Sequence, residues 1–113
     1  MQDVNKSAVQ EALNNFANLP VFLHLETTNG AYASHNKTGL TVGAFIRNNK
    51  ITYEIGKVNG NNPYRIGLKL EHGWVYAEGI THYEIDDQNR LLLAGLNHEG
   101  KLAVALQLSS TPF

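Results

Sequence analysis

The stretch RLLLAGLNHEGKLAVALQLS, residues 90–109, decides the class of fold. It consists of two apolar runs, RLLLAGL and KLAVALQLS, joined by the four residues NHEG at 97–100. Short apolar runs bounded by turn residues are typical of strands. Gly100 suits a left-handed turn position, because glycine adopts positive φ without steric cost. The stretch therefore predicts two neighbouring antiparallel strands joined by a tight turn.

The same arrangement recurs along the chain after Pro20. Asn29-Gly30 is a strong hairpin signal, and NNK at 48–50 indicates a second hairpin. About eight strands joined by short turns predict a mostly β protein, a small antiparallel barrel-like meander whose curling hides its edges. The further strand segments are VFLHLETT at 21–28, AYASH at 31–35, LTVGAFIR at 40–47, ITYEIGKV at 51–58, YRIGLKLE at 64–71 and WVYAEGITHYEI at 74–85.

The segment before Pro20 has helical rather than strand periodicity. Apolar residues recur at spacings of three and four from Val9 to Ala17, which predicts one amphipathic helix over about 5–19. Asn5 or Ser7 is suited to cap its start, and Pro20 to mark its end. A chain of 113 residues fits a single domain, with the β-barrel-like region covering about 20–113.

Composition restricts the classes of partner and compartment. Nine basic and ten acidic residues give a net charge of −1, which disfavours nucleic acid and membrane surfaces as partners. The absence of cysteine excludes disulfides, thiolate metal sites and a thiol nucleophile within the chain. The N-terminal segment has neither the charge nor the apolar block of a signal peptide, so we expect a cytoplasmic protein.

A group of metal-ligand side chains lies around the predicted turn at Asn29-Gly30. A two-residue turn there would pair His24 with His35 and Glu26 with Ala33, placing His24, Glu26 and His35 on one face. Two imidazoles and one carboxylate can hold zinc or non-haem iron and activate a water. Polar residues are equally typical of the solvated face of an antiparallel sheet. The alternatives are thus a metal-dependent enzyme, hydrolytic or otherwise, and a hairpin without a cofactor.

A second group lies in the segment HGWVYAEGITHYE, residues 72–84. Strict alternation would place Trp74, Tyr76, Glu78 and His82 on one face. An aromatic and acidic strip of this kind can bind sugars, flat rings or a partner. Core aromatics with exposed ends are the commoner arrangement, and a bulge at Gly79 would move His82 to the other side.

Several strings of this sequence resemble the YojF-like family of small bacterial proteins, mostly from bacilli. They are LHLETTNGAYASH, GAFIRN, RIGLKLEHGWVYAEGITHYE, GKLAVALQLS and the final TPF, and they cover nearly the whole chain. The resemblance implies a barrel-like β fold and supplies no catalytic residues. It also implies an accessory role, because such proteins tend to be encoded beside a deacetylase resembling those that process an N-acetylglucosaminyl malate during bacillithiol synthesis.

The sequence is rich in predicted strands and poor in recognisable catalytic motifs. It has no phosphate-binding loop, dinucleotide fingerprint, nucleophile elbow or His-Glu-x-x-His helix. We therefore expect a non-enzymatic binding module that acts through a protein partner or a small polar ligand. The apolar run RLLLAGL is compatible both with a buried core strand and with a homodimer interface.

Overall fold

A computed structural model of the protein describes residues 1–28 and 43–113. Within these ranges the chain forms one helix and nine strands. The elements are β1 (Gln2–Asp3), α1 (Lys6–Phe16), β2 (Val21–Thr28), β3 (Gly43–Ile51), β4 (Ile55–Gly60), β5 (Tyr64–Lys69), β6 (Trp74–Ile80), β7 (His82–Ile85), β8 (Leu91–Leu96) and β9 (Leu102–Ser109).

The described strands form two antiparallel sheets. The larger sheet has six strands in the order β1-β7-β8-β9-β2-β3, and the smaller has three in the order β4-β5-β6. The predicted hairpin of residues 90–109 is confirmed as β8 and β9, and Gly100 has a φ of +77°. A mostly β fold with one N-terminal helix is therefore confirmed, with the strands divided between two sheets.

The hairpin predicted at NNK is wrong. β3 continues through these residues, so that Asn49 pairs with Leu23 and Lys50 with Phe22, while β4 belongs to the other sheet. Asn48 does adopt the left-handed conformation that a turn signal indicates, with a φ of 54°. It uses that conformation in a β-bulge, where the register of β2 and β3 shifts between Leu23 and Leu25.

The turn predicted at Asn29-Gly30 and the strand that contains His35 lie outside the described residues. In the described part, β2 lies between two other strands of the large sheet. Glu26 pairs with Phe45 on β3 and with Ala105 on β9. The strand partners of Glu26 in the described part are therefore Phe45 and Ala105, whereas a two-residue turn predicts Ala33.

Helix α1 begins and ends at identifiable signals. The Asn5 side chain caps it by accepting a hydrogen bond from Ala8 N at 3.1 Å, as predicted. The helix ends at Phe16, earlier than predicted, because Ala17 is extended and Asn18 has a φ of 64°. The amide of Asn18 then donates to the carbonyl of Tyr53 at 2.8 Å, which ties the helix end to the segment before β4.

Both sheets and the helix contribute to one hydrophobic core. The helix buries Val9, Leu13 and Phe16, and the large sheet contributes side chains such as Leu93 and Leu106. One face of the small sheet also packs on this core, and its opposite face points outward. Within residues 1–28 and 43–113, no helix is both long enough and apolar enough to cross a bilayer.

Candidate functional site

The exposed side of the small sheet carries the most distinctive group of side chains. Strand alternation and register place nine residues on this side, which we call the outer face. Most of them are exposed to solvent, whereas their neighbours Val58, Ile66 and Ala77 are buried. The outer-face residues are Ile55, Lys57 and Asn59 on β4, Arg65, Gly67 and Lys69 on β5, and Trp74, Tyr76 and Glu78 on β6.

Four of these side chains form a ladder along the outer face. The rings of Trp74 and Tyr76 are stacked, with centroids 5.4 Å apart and planes within 7°. The guanidinium carbon of Arg65 lies 5.1 Å from the Tyr76 centroid, and Arg65 makes an ion pair with Glu78. Because β5 and β6 are antiparallel, Arg65 lies on the side of Tyr76 that faces away from Trp74. The order Trp74, Tyr76, Arg65, Glu78 defines what we call the ladder.

Glycine at position 67 makes room for the rings. Gly67 is directly opposite Tyr76 in the register, and a Cβ built on it would lie 3.0 and 3.3 Å from two carbons of the Tyr76 ring. The same Cβ would be 3.5 Å from Trp74. The rings therefore pack over a strand position that has no side chain, as happens when an aromatic residue covers a glycine of a neighbouring strand.

The ladder is accessible to solvent in spite of this packing. Trp74 is 45% and Tyr76 is 48% exposed. Both rings therefore lie on the outer face with about half of their surface exposed. Strict alternation from Trp74 to Glu78 is confirmed, and it brings these three predicted site residues together on one face.

His82 does not join them. Gly79 has a φ of +80°, Ile80 is fully buried, and β6 ends there. His82 belongs to β7 in the large sheet, where its Nδ1 lies 2.7 Å from Thr81 Oγ1 and its Nε2 lies 3.4 Å from an Asp3 carboxylate oxygen. Inclusion of His82 in the strip is therefore wrong, because the chain crosses between sheets after Ile80.

A groove lies at the Glu78 end of the ladder, with a volume of about 510 Å³. Arg65 and Glu78 belong both to the ladder and to this groove. Sequence reasoning identified neither Arg65 as a site residue nor the groove. A glycine at an alternating position, in the string YRIGLK, was the available signal that a neighbouring ring packs across β5. The groove is lined by Asn59, Gly60, Pro63, Tyr64, Arg65, Glu78 and Gly79.

His24 and Glu26 come together on the side of β2 that faces away from the core. Their Nε2 and Oε2 atoms are 3.4 Å apart, and His24 is only 5% exposed. The His24 ring packs edge-on against Phe45, with centroids 5.3 Å apart. Its Nδ1 is buried and has no hydrogen-bond partner among the described residues. A buried polar atom left without a hydrogen bond is unfavourable by about 1–3 kcal/mol.

These two residues partly fit a metal. Two donors bound to zinc at about 2.0–2.1 Å in a tetrahedral arrangement are separated by about 3.4 Å, which matches the observed contact. However, metal-bound histidines usually donate their other ring N–H to an acceptor, and Nδ1 has none in the described part of the chain. No group of three potential metal ligands occurs within that part, and His35 lies outside it.

The end of the chain packs over His24, which sequence reasoning did not anticipate. Phe113 lies edge-on to the His24 ring, with centroids 6.2 Å apart. The side-chain amide of Asn48 holds the Phe113 backbone through two hydrogen bonds, of 2.7 Å from Phe113 N and 3.1 Å to its carbonyl oxygen. Arg90 lies over the Phe113 ring at 5.8 Å.

Asp86 orients Arg90 from the preceding turn. Its Oδ1 accepts hydrogen bonds from the backbone N–H groups of Arg90 and Gln88, and its Oδ2 accepts one from Arg90 Nε at 2.6 Å. The hydrogen bond from the Arg90 backbone, followed by the guanidinium, lowers the pKa of Asp86 below its ordinary value. The ion pair therefore persists at neutral pH and holds Arg90 against Phe113.

The fold and the outer face define a small mostly β protein with a preformed aromatic and cationic surface. The chain belongs to the family described as "Protein of unknown function (DUF1806)", whose model matches residues 3–113. It is 53% identical over 114 residues to the "Uncharacterized protein YojF" of Bacillus subtilis strain 168, covering 100% of this chain and 98% of that protein. The crystal structure of Bacillus subtilis YojF superimposes with a TM-score of 0.84 at 49% identity, covering 99% of this chain and 95% of that one. The predicted family resemblance is thereby confirmed.

Proposed function

We propose that this protein is a non-enzymatic, cytoplasmic binding module that docks on a protein partner through its outer face. The observation that supports the proposal is the ladder itself. Two stacked aromatic rings, each nearly half exposed, are held in place by Arg65 and by the space above Gly67. Adjacent exposed apolar side chains that form a contiguous patch, unlike single exposed ones, tend to mark interaction sites.

The residue types of the ladder are those that dominate binding energy at protein interfaces. Trp, Tyr and Arg are enriched among the interface residues whose truncation weakens binding most. Stacking fixes the rings before binding, so that little side-chain entropy is lost when a partner covers them. Ile55, 42% exposed, adds apolar area on the neighbouring edge strand. The outer face therefore has an apolar centre with charged groups around it.

The charges of the outer face favour a partner with acidic groups. Lys69 lies 3.7 Å from Glu54, and Arg65 is paired with Glu78. Lys57 has no ion pair among the described residues and adds a positive charge to the same face.

The family resemblance suggests which partner to try first, namely the deacetylase expected to be encoded nearby and linked to bacillithiol synthesis.

A titration with that deacetylase tests the proposal. Fluorescently labelled protein is titrated with the purified enzyme, and Trp74→Ala and Tyr76→Ala are compared with the wild type. We expect each variant to bind at least about tenfold more weakly, equivalent to about 1.4 kcal/mol, with an unchanged far-UV circular dichroism spectrum. Leu102→Ala is the matched control, because Leu102 is 39% exposed on a strand of the other sheet.

Three outcomes would contradict the proposal or a part of it. If Trp74→Ala and Tyr76→Ala bind the deacetylase as tightly as the control does, the ladder is not the docking surface. If the wild type does not bind the deacetylase at all, that partner is wrong. If Trp74→Ala unfolds the protein, Trp74 is needed for folding and the ladder cannot be described as a preformed contact surface.

The second candidate is a metal-dependent enzyme that uses His24, Glu26 and His35. It is favoured by the 3.4 Å contact between His24 Nε2 and Glu26 Oε2. Chelator-stripped protein should then show a saturable thermal shift with zinc, manganese, iron(II) or nickel, and His24→Ala and His35→Ala should abolish it. A ligand at one hundred times its dissociation constant stabilises by about 2.7 kcal/mol. The absence of a shift with all four metals would eliminate this candidate.

A further inference from the structure

We infer that the groove at the Glu78 end of the ladder is a binding site for a sugar ring or another cyclic polyol. The groove is shallow and open to solvent, and its volume of about 510 Å³ is large enough for a single ring, since small-molecule sites span roughly 300–1,000 Å³. It involves residues that the ladder does not use, notably Asn59 and Tyr64. The inference therefore goes beyond the proposed docking function and can fail or succeed separately from it.

The ion pair of Arg65 and Glu78 determines which ligand chemistry fits. Both guanidinium contacts go to the same carboxylate oxygen, Oε1 of Glu78. The second carboxylate oxygen can accept a hydrogen bond, and a guanidinium has five N–H donors, of which these contacts use two. Two adjacent hydroxyls of a ligand can therefore accept from Arg65 and donate to Glu78 at the same time.

The neutrality of this pair argues against charged ligands. A free anion drawn to Arg65 would meet the carboxylate of Glu78, and a free cation drawn to Glu78 would meet the guanidinium. A hydroxyl both donates and accepts, so it matches a paired donor and acceptor without a net charge. The hydrogen bonds from such hydroxyls to Arg65 and Glu78 would be charge-assisted, and these are stronger than hydrogen bonds between neutral groups.

The other walls of the groove complete a surface for a ring. Asn59 offers an amide donor and acceptor, while Pro63 and the part of Tyr64 that is not packed on the core offer apolar area. A Cβ built on Gly79, at a φ of +80°, would meet no atom within 4 Å, so a ligand can approach this backbone directly. A sugar ring has one face of C–H groups and a rim of hydroxyls, which suits an aromatic wall beside polar groups.

Chemical-shift mapping of ¹⁵N-labelled protein tests the inference. Methyl α-glucoside and myo-inositol are the probes, and methoxycyclohexane is the matched control ring without ring hydroxyls. We expect saturable shifts of the amides of Asn59, Gly60 and Gly79 with at least one polyol, and none with methoxycyclohexane. Asn59→Ala and Glu78→Gln should weaken the apparent affinity at least fivefold. Trp74→Leu should leave it unchanged, although that variant disrupts the proposed protein-docking surface.

Three results would overturn the inference. These are shifts that do not saturate with either polyol, equal shifts with methoxycyclohexane, and polyol affinities unaffected by Asn59→Ala and Glu78→Gln. Loss of deacetylase binding in Trp74→Ala with no polyol binding in the wild type would refute the sugar site alone. Saturable polyol binding by the wild type, together with deacetylase binding by Trp74→Ala that is as tight as that of the control, would refute the docking proposal alone.

Discussion

The contact between Gly67 and Tyr76 shows how much of the outer face depends on one missing side chain. A methyl group at position 67 would approach the Tyr76 ring to 3.0 Å, closer than most Cβ contacts in proteins. The ring would have to shift by a few tenths of an ångström from its stacked position between Trp74 and Arg65. Gly67 therefore controls the geometry of the ladder without itself presenting any group to a partner.

We expect Gly67→Ala to displace the Tyr76 ring and to weaken partner binding about tenfold, or by about 1.4 kcal/mol. The near-UV circular dichroism signal of the stacked rings should fall, while the far-UV spectrum should remain that of the wild type. A double-mutant cycle isolates the cause. In a Tyr76→Ala background the added methyl group has no ring to displace, so Gly67→Ala should then have little further effect on binding. Additive effects of the two substitutions would show that position 67 acts in another way.

Tyr53 is a second residue whose effect can be predicted. It is fully buried, and its hydroxyl donates a 2.5 Å hydrogen bond to the carbonyl of Leu13 near the end of α1. Tyr53→Phe leaves that buried carbonyl without this donor, so the free energy of unfolding should fall by about 1–3 kcal/mol. Urea denaturation at pH 7 measures this difference.

Burial also gives Tyr53 a predictable pH dependence. It raises the pKa of the Tyr53 phenol well above its ordinary value in the folded protein, whereas in the unfolded chain the phenol ionises near pH 10. The stabilisation from neutral Tyr53 is thus complete below about pH 10 and decreases as the pH rises above it. The stability difference between wild type and Tyr53→Phe should therefore shrink between about pH 10 and 11. A constant difference over that range would contradict this account.

At the scale of elements, helix α1 protects the edge of the small sheet through Gln10. Its side-chain amide donates to Gly56 O at 2.7 Å and accepts from Val58 N at 3.0 Å. These two bonds occupy the positions that a further strand would use beside β4. Exposed strand edges tend to pair with other chains, so this contact keeps the edge of the outer face closed.

Gln10→Met keeps the length of the side chain and removes both hydrogen bonds. We expect a loss of about 1–2 kcal/mol in the free energy of unfolding and faster hydrogen exchange at the Val58 amide. Exchange at Ile66, the cross-strand partner of Val58 on β5, is the internal control and should change only as far as global stability does. Unchanged exchange at Val58 would show that Gln10 does not shield this edge.

The sequence predicts correctly those elements whose signals are local, and it fails where the outcome depends on a distant strand. The cap at Asn5 and the turn before β9 are local, so the residues themselves predicted them correctly. NNK was misread because left-handed asparagine occurs both in turns and in bulges, and the choice depends on whether β2 is available for pairing. Alternation predicts one continuous strand over 74–85, because nothing local shows that the chain changes sheets after Ile80.

At the scale of the whole molecule, the candidate sites follow from the division of the strands between two sheets. Trp74, Tyr76 and Glu78 share the outer face because β6 lies in the small sheet, whereas His82 belongs to the large sheet. Alternation predicted the first three residues correctly. The contribution of Arg65 and Gly67 depends on the register between β5 and β6, which one sequence cannot specify. The packing of Phe113 over His24 likewise joins residues that are far apart in the chain, and one sequence does not specify such a contact.

The division also separates the two candidate functions in space. The ladder and its groove belong to the small sheet, whereas His24 and Glu26 lie on β2 of the large sheet. A partner that covers the outer face therefore protects backbone amides of β5 and β6. A function centred on His24 would instead involve β2 and β3.

The most direct test of the docking proposal is hydrogen–deuterium exchange of the protein, alone and with a saturating amount of the deacetylase. We predict slower exchange in the complex across Tyr64–Lys69 and Trp74–Ile80, with little change across Val21–Thr28 and Gly43–Ile51. Protection confined to the latter two strands, with none on β5 and β6, would contradict the claim that the outer face is the docking surface.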